Sequence, residues 1–294
     1  MFIKSAPELA LIKKGGVLMG KILKELQAFT KAGMSLAEVD AEAERLIIEC
    51  SGKPAFKGYT TRPSDPPFPS TICASVNEEL VHGIARPNVI LKDGDIFSID
   101  IGMEWPVQTS ASGLQTSDPT KTLLKSNSRS PKSSRGYFTD TAITFPIGKI
   151  EPEIEKLLHV TRQALEVGIK AAQPGRTVAS IGKAIEAYVR SEGGYGIVRD
   201  LVGHGVGHEV HEDPQIPNFY DPTLERFVLK PGMVIALEPM ISLSGEINVK
   251  MKRDGWTIVM ADGSPCAHFE HTLIITRTGN TVVTRRPDEK KERY

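Results

Sequence analysis

Three cysteines in 294 residues, Cys50, Cys73 and Cys266, are odd in number and far apart, and no CxxC pair occurs. A disulfide framework and a cysteine zinc site are both excluded by that pattern, and a reducing cytoplasm is the compartment it predicts. Long apolar runs are missing as well. No stretch of about 18 apolar residues is present, and the opening MFIKSAPELALIKKGG meets Pro7, Glu8 and a lysine pair before any signal-length core develops. Neither a membrane span nor export through a signal peptide is expected. Net charge is absent too, since 36 Lys+Arg balance 36 Asp+Glu. No global field then draws the chain to specific DNA or to an anionic membrane. Nothing signals oligomerisation, so a monomer is the expectation. What is there, 40% apolar and 24% charged residues, is the composition of an ordinary globular enzyme.

Apolar residues at Leu9, Ile12, Leu18, Ile22, Leu23 and Leu26 recur near the helical period and predict a helix over Ser5 to Thr30. A second helix, Ser35 to Cys50, opens on the capping box Ser35-x-x-Glu38 and is followed by Gly52. Pro152 to Ala171 and Thr177 to Ser191 repeat this pair, and residues 32–52 align with 174–194 without a gap. LKDGDIFSIDIG (91–102) matches LKPGMVIALEPM (229–240), which sets Asp100 on Glu238. A looser match pairs YFTDTAITF (137–145) with HFEHTLIIT (268–276) and is taken to set Asp140 against Glu270. Three matches in one order imply a duplicated α+β domain, helices then strands in each half, with the two sheets meeting at one central site.

Residues 105–136 break the pattern: Ser/Thr-rich, aperiodic, and carrying Lys121, Lys125, Arg129, Lys132 and Arg135 against the single acid Asp118. Such a segment has too little apolar surface to order itself and reads as a solvated insertion, with contact to RNA or the ribosome as the second reading. The Pro-rich stretch 61–71 reads as a stiffened loop, and RRPDEKKERY as a charged tail, about 286–294, that frays.

Four acids interrupt apolar β runs: Asp100, Asp140, Glu238 and Glu270. If the halves fold together these carboxylates converge, and unit charges about 4 Å apart repel by about 4 kcal/mol at an effective dielectric near 20. Protons or cations must relieve that. Oxygen ligands with one imidazole suit Mn, Fe, Co or Zn, and bridging carboxylates favour two ions over one. The imidazole is sought in GHGVGHEVHEDP (203–214), where three glycines make a helix improbable; as a strand or turn, alternation sends His204 and His208 to one face and His211 to the other unless a bulge intervenes. Spacing alone does not choose the ligand, nor does it give His82 a role.

SVNEELVHGI (75–84), DGDIFSIDIG (93–102), YFTDTA (137–142), GHGVG with HEDPQIPN (203–218), LKPGMVIALEPM (229–240), RDGWT (253–257) and FEHTLIIT (269–276) together resemble the methionine aminopeptidases of the shorter, bacterial-type subclass. The resemblance runs from the first helix to about Arg285. It implies one pita-bread (creatinase/aminopeptidase) catalytic domain over residues 1–294 and a site holding two divalent ions, Co, Mn, Fe or Zn. Asp140 and Glu270 would bridge both ions, Asp100 would chelate one, and His204 with Glu238 would hold the other. His211 and His82 are implied to contact substrate, Glu238 to shuttle a proton, and Phe56, Tyr59, Cys73 and Trp256 to form the methionine side-chain pocket. No role is implied for His208. The implied reaction is removal of the initiator methionine from nascent polypeptides whose second residue is small.

Two features depart from the family's pattern. Its first two aspartates usually stand close together, whereas residues 105–136 put Asp100 and Asp140 forty positions apart. Loop closure costs only about 1 to 2 kcal/mol more for such a lengthening, so the flanking strands are expected to pair regardless. The Pro-rich loop borders the implied pocket and bears on its selectivity. The alternatives are an Xaa-Pro aminopeptidase of the same fold, whose family generally carries a large N-terminal domain, and a non-catalytic pita-bread protein acting at the ribosome, whose relatives have usually lost the ligands retained here.

Overall fold

A computed structural model describes residues 3–60, 62, 65–107 and 136–289. The insertion, all but its two ends, and the last five residues of the tail lie outside them. The first half opens with α1 (Ala6–Phe29) and α2 (Leu36–Glu49), followed by β1 (Lys53–Pro54), β2 (Ile72–Val76), β3 (Glu79–Val81), β4 (Ile96–Trp105) and β5 (Tyr137–Pro146). The second half opens with α3 (Pro152–Ala171) and α4 (Val178–Glu192). Short strands follow: β6 (Gly196–Ile197), β7 (Gly203–Gly205), β8 (Glu212–Ile216), β9 (Val234–Leu237), β10 (Met240–Ser242), β11 (Val249–Met251), β12 (Ile258–Met260), β13 (Cys266–His268), β14 (His271–Ile275) and β15 (Asn280–Val282). None of the described helices is long and apolar enough to cross a membrane.

Both second helices start as their caps predict. Ser35 Oγ accepts from Glu38 N at 3.3 Å while Glu38 returns a bond to Ser35 N at 2.7 Å, and Thr177 Oγ1 accepts from Ser180 N at 3.3 Å. The duplication extends to individual backbone bonds. Gly33 N reaches Leu91 O at 2.8 Å and Gly175 N reaches Leu229 O at 2.9 Å; Leu36 N reaches Val89 O at 3.1 Å and Val178 N reaches Phe227 O at 2.9 Å. Each half thus clamps its second helix to the segment that feeds its main hairpin.

β4 and β5 pair antiparallel along their whole length, from Ile96 opposite Pro146 to Trp105 opposite Tyr137, so the insertion does not disturb the ladder. Alternation along β4 sends Phe97, Ile99, Ile101 and Met103, all fully buried, into the helix-backed core. Ser98, Asp100 and Gly102 then face the other way, towards the second half. There the order β15-β14-β9-β7-β8 builds a five-stranded sheet. The two sheets are stitched by threonines: Thr272 Oγ1 takes Asp140 N at 3.0 Å and gives to Asp140 O at 2.7 Å, and Thr141 Oγ1 gives to Glu270 O at 2.8 Å.

Two expectations change. The match that set Asp140 against Glu270 is out by one residue: counted without a gap Asp140 falls on His271, and while Asp140 lies inside β5, Glu270 precedes β14. The tail from Arg286 does not fray at its root. Arg286 is only 4% exposed and pairs with Glu289, whose carboxylate also lies 3.4 Å from His271 Nε2. Arg285 bonds Glu166 on α3, and a Cβ at Gly20 of α1 would stand 2.5 Å from Arg285 O, so α1 leaves room for this segment to pack.

Candidate metal centre and substrate pocket

A cavity of about 400 Å³ lies at the seam, and every site residue expected from the sequence lines it: Phe56, Tyr59, Cys73, His82, Asp100, Asp140, His204, His211, Glu238, Trp256 and Glu270. Asp100 sits opposite Ala142 and Asp140 opposite Gly102, two places apart on one face of the β4–β5 ladder. Glu238 and Glu270 lie just past β9 and just before β14, whose paired ends are Leu237 and His271. β7 pairs with β9, His204 opposite Ala236, and brings its ring to the same place. His204 Nε2 is 3.4 Å from Glu238 Oε1 and 3.8 Å from Asp140 Oδ2. Ligand atoms of Asp140, His204 and Glu270 all lie within 4.8 Å of one another.

The electrostatics of this cluster are unfavourable for protein alone. Asp100 Oδ1, Asp140 Oδ1, Glu238 Oε1 and Glu270 Oε1 are buried without a hydrogen-bond partner. Burial raises Asp100 to about 7. It also lifts Asp140, Glu238 and Glu270 well above the carboxylate range, and neighbouring acids push them further. Burial, then His211, holds His204 down at about 3. A neutral imidazole among carboxylates that cannot all ionise is the donor set of a divalent cation. Asp140, His204 and Glu270 form a cluster able to hold one.

Against the acids stands an apolar wall of Phe56, Phe68, Cys73, Val210 and Trp256, with Tyr59 packed beside it. Phe56 comes close because position 102 is glycine: a Cβ there would lie 2.7 Å from the Phe56 ring. Burial raises the Cys73 thiol well above its ordinary value, and Asp100 adds to this, so it is an inert wall group. His82 sits at φ +56, a left-handed conformation costing about 1 kcal/mol or more for a residue with a Cβ. Burial, then His211, lowers its imidazole to about 4, so it is neutral.

The glycine-rich segment corrects the alternation expected of its histidines. His204 and His211 face each other with ring centroids 4.4 Å apart, while His208 turns away to bond Glu8 of α1 at 2.8 Å. The strand lasts only three residues, its pairing with β8 slips between Gly203 and Gly205, and residues 206–211 form a turn. Two neighbours of the site were missed. Phe68, in the Pro-rich loop, lies edge-on to Trp256 with centroids 5.2 Å apart, and a lone aromatic among prolines was its only signal. His268, with Nε2 3.7 Å from Glu238 Oε2, is two residues from Glu270, so strand alternation could have found it.

Comparison with known proteins agrees with this geometry. The profile of metallopeptidase family M24 matches residues 10–113 and 131–277, and the unmatched residues between fall within the Ser/Thr-rich stretch. The chain is similar to methionine aminopeptidase 1 of Bacillus subtilis (strain 168), 42% identical over 282 residues that span 96% of this chain and 98% of that one. The methionine aminopeptidase of Borreliella burgdorferi is 40% identical over 273 residues, 93% of this chain and 94% of its own. The crystal structure of the Thermotoga maritima methionine aminopeptidase superposes with a TM-score of 0.80 at 35% identity, covering 97% of this chain and 99% of that one, so the duplicated α+β fold is the pita-bread fold. The chain belongs to metallopeptidase family M24 and, within it, to the bacterial-type methionine aminopeptidases.

Proposed function

We propose that this chain, as one catalytic domain, removes the initiator methionine from nascent polypeptides with a small second residue, using two divalent cations. The observation that carries the reading is the set of four carboxylates, each with a buried, unpartnered oxygen, that line one apolar-walled cavity together with the neutral His204. Asp100, Asp140, His204, Glu238 and Glu270 would hold the ions, the cluster of Asp140, His204 and Glu270 forming the centre of the set. Bound there, the cations supply Lewis-acid polarisation of the scissile carbonyl and acidify the attacking water.

The chain's own groups do the rest. The wall of Phe56, Tyr59, Phe68, Cys73 and Trp256 takes the methionine side chain, whose burial contributes about 1.5 to 3 kcal/mol. Leucine has comparable area, so selectivity rests on the shape of this wall. His211 Nδ1 lies 3.0 Å from the Tyr59 hydroxyl. With that hydroxyl donating, Nε2 keeps its proton and offers it to the oxygen that gains charge in the transition state. His82, neutral and held in a strained turn, contacts the scissile amide. Glu238, which lines the same cavity, moves a proton to the leaving nitrogen.

Hydrolysis of Met-Ala-Ser, Leu-Ala-Ser and Ala-Pro-Ala by the purified protein, with Mn, Co or Fe and again after chelation, tests this. Methionine-selective, chelator-sensitive release that Asp140→Ala abolishes is the expected outcome. Preferential cleavage of Ala-Pro-Ala would move the reading to an Xaa-Pro aminopeptidase, and a folded, metal-loaded protein that cleaves none of the three would end the catalytic reading.

A further inference from the structure

His211 belongs to a turn, residues 206–211, that is short of regular structure, yet its ring must be fixed if it is to meet substrate. The turn is held from outside the cavity. Glu212, the next residue, closes it through its side chain: one carboxylate oxygen, Oε1, accepts the backbone N–H groups of His208 and Glu209, the latter at 3.1 Å. The other oxygen, Oε2, accepts from Lys4 Nζ at 2.6 Å, and the two side chains are 11% and 1% exposed. Lys4 is itself pinned at its backbone, where its N–H reaches Gly232 O at 2.8 Å beside the bridge between Ile3 and Met233. Its stem passes through a gap that only glycine leaves: at Gly207, φ +132, a Cβ would stand 2.8 Å from Lys4 Cε. The turn is tied to the first half as well, Phe138 N reaching Gly207 O at 2.8 Å.

We infer that Lys4 and Glu212 form a buried brace that positions His211 for the reaction. The inference rests on the function proposed above, in which His211 touches substrate. Lys4 touches neither substrate nor metal; it is a positioning residue that acts through Glu212 and the turn. Breaking this largely buried ion pair from one side is destabilising, because Glu212, only 11% exposed, keeps its charge but loses the ammonium and is left with the turn amides alone. Removing the ammonium should therefore free the turn while leaving Asp100, Asp140, His204, Glu238 and Glu270 where they are.

The test uses the full-length, metal-loaded protein and three variants: Lys4→Met, Lys4→Arg and the double variant Lys4→Met/Glu212→Gln, which removes the orphan charge should the single one prevent folding. Amide hydrogen exchange at His208 and Glu209 reads the turn directly, and kcat, KM and bound metal on Met-Ala-Ser read its consequence. Lys4→Met and the double variant are expected to exchange faster at these two amides, with kcat lowered about 10- to 100-fold as for a misplaced reacting group. KM and metal content should change less than about two-fold, the split of an interaction made in the transition state. Lys4→Arg should restore most of kcat. Unchanged exchange would overturn the brace, and an opened turn with unchanged kcat would overturn its positioning role. Loss of metal in step with kcat would reduce Lys4 to a structural residue. A wild-type protein that binds metal and releases no methionine would overturn the proposed function as well, whereas an active wild type with an unaffected Lys4→Met overturns this inference alone.

Discussion

In the first half of the molecule β4 and β5 run for ten residues each and carry Asp100 and Asp140 within them, while in the second half β9 and β14 are four and five residues long and Glu238 and Glu270 lie just beyond their ends. An aspartate inside a ladder is fixed by strand on both sides; a glutamate past a strand end reaches the same place with one more rotatable bond. The asymmetry is clearest one strand further out. β2 pairs Ser75 with Ser98, and β7 pairs His204 with Ala236, the residue that the repeat sets on Ser98. The same sheet position thus holds a serine in one half and the imidazole in the other. Ser75 Oγ accepts from Gly83 N at 3.2 Å and so steadies the strained turn of His82. Duplication gathers the acids, and divergence at matched positions decides which half adds an imidazole to the cluster and which steadies the turn of His82.

Substituting matched positions breaks this comparison most severely. Asp100→Asn and Glu238→Gln occupy equivalent places in the repeat, and each should lower methionine release more than about 100-fold, since a metal's charge stabilisation amounts to several kcal/mol. They should differ in what remains bound. Asp100→Asn leaves the cluster of Asp140, His204 and Glu270 intact, so metal analysis is expected to fall from two ions to one while the methionine-binding wall still takes ligand. Retention of two ions by Asp100→Asn would show that the first half adds no ligand beyond the bridge.

The next effect is a pH dependence that separates the acid cluster from the rest of the fold. Each of the four carboxyls is raised on folding, Asp100 to about 7. Protonated in both states at low pH, they cost nothing there. As pH climbs past the unfolded value near 4, the unfolded chain ionises first and the folded state loses stability, a loss continuing through the folded value. Metal-free protein should therefore lose on the order of 4 kcal/mol from Asp100 between about pH 4 and pH 7, and saturating metal should abolish that slope. Glu289 has the opposite sign: burial would raise it, but bonds to His271 and attraction to Arg286 leave it at about 2, so its contribution is lost only on acidification below about 4.5. Denaturant unfolding across pH, with and without metal, checks both limbs, and a metal-free stability that is flat from pH 4 to 7 would contradict the cluster's energetics.

Much of this was legible before any coordinates. The four helices, both caps and the paired strands follow from period and repeats, and the four acids stand out as interruptions of apolar β runs, whereas His204 is singled out among the histidines only by the resemblance to the aminopeptidases. What escaped depends on geometry that sequence periodicity does not encode. Alternation could place His208 and His211 only in the absence of a bulge, and the register slip after Gly203 is such an interruption. The charge of the tail suggested fraying, yet Arg286 is buried and pairs with Glu289, which in turn reaches His271 of β14. Phe68 gave no periodic signal inside a run of prolines, and Lys4 reads as one more surface lysine until Glu212, 208 residues away, is seen to meet it.

The mildest test uses the turn glycines that the repeat sets on each other. Gly94 at φ +95 gives its N–H to Ile147 O at 2.9 Å, and Gly232 at φ +91 gives its own to Ile275 O at 2.8 Å, so each opens its half's hairpin in the same way. Their surroundings differ. A Cβ at Gly94 meets nothing nearer than Lys149 O at 3.8 Å, whereas at Gly232 it would lie 2.8 Å from Ile3 Cγ2 and 3.1 Å from Lys4 O. Gly94→Ala should then cost only the left-handed conformation, about 1 to 2 kcal/mol. Gly232→Ala should cost more, because it also displaces the strand-like start of the chain that carries Lys4, and with it the turn of His211. Equal destabilisation of the two variants, with equal activity, would mean that the second half's added contact with the N-terminal segment contributes nothing, and the two hairpins would be interchangeable at this position.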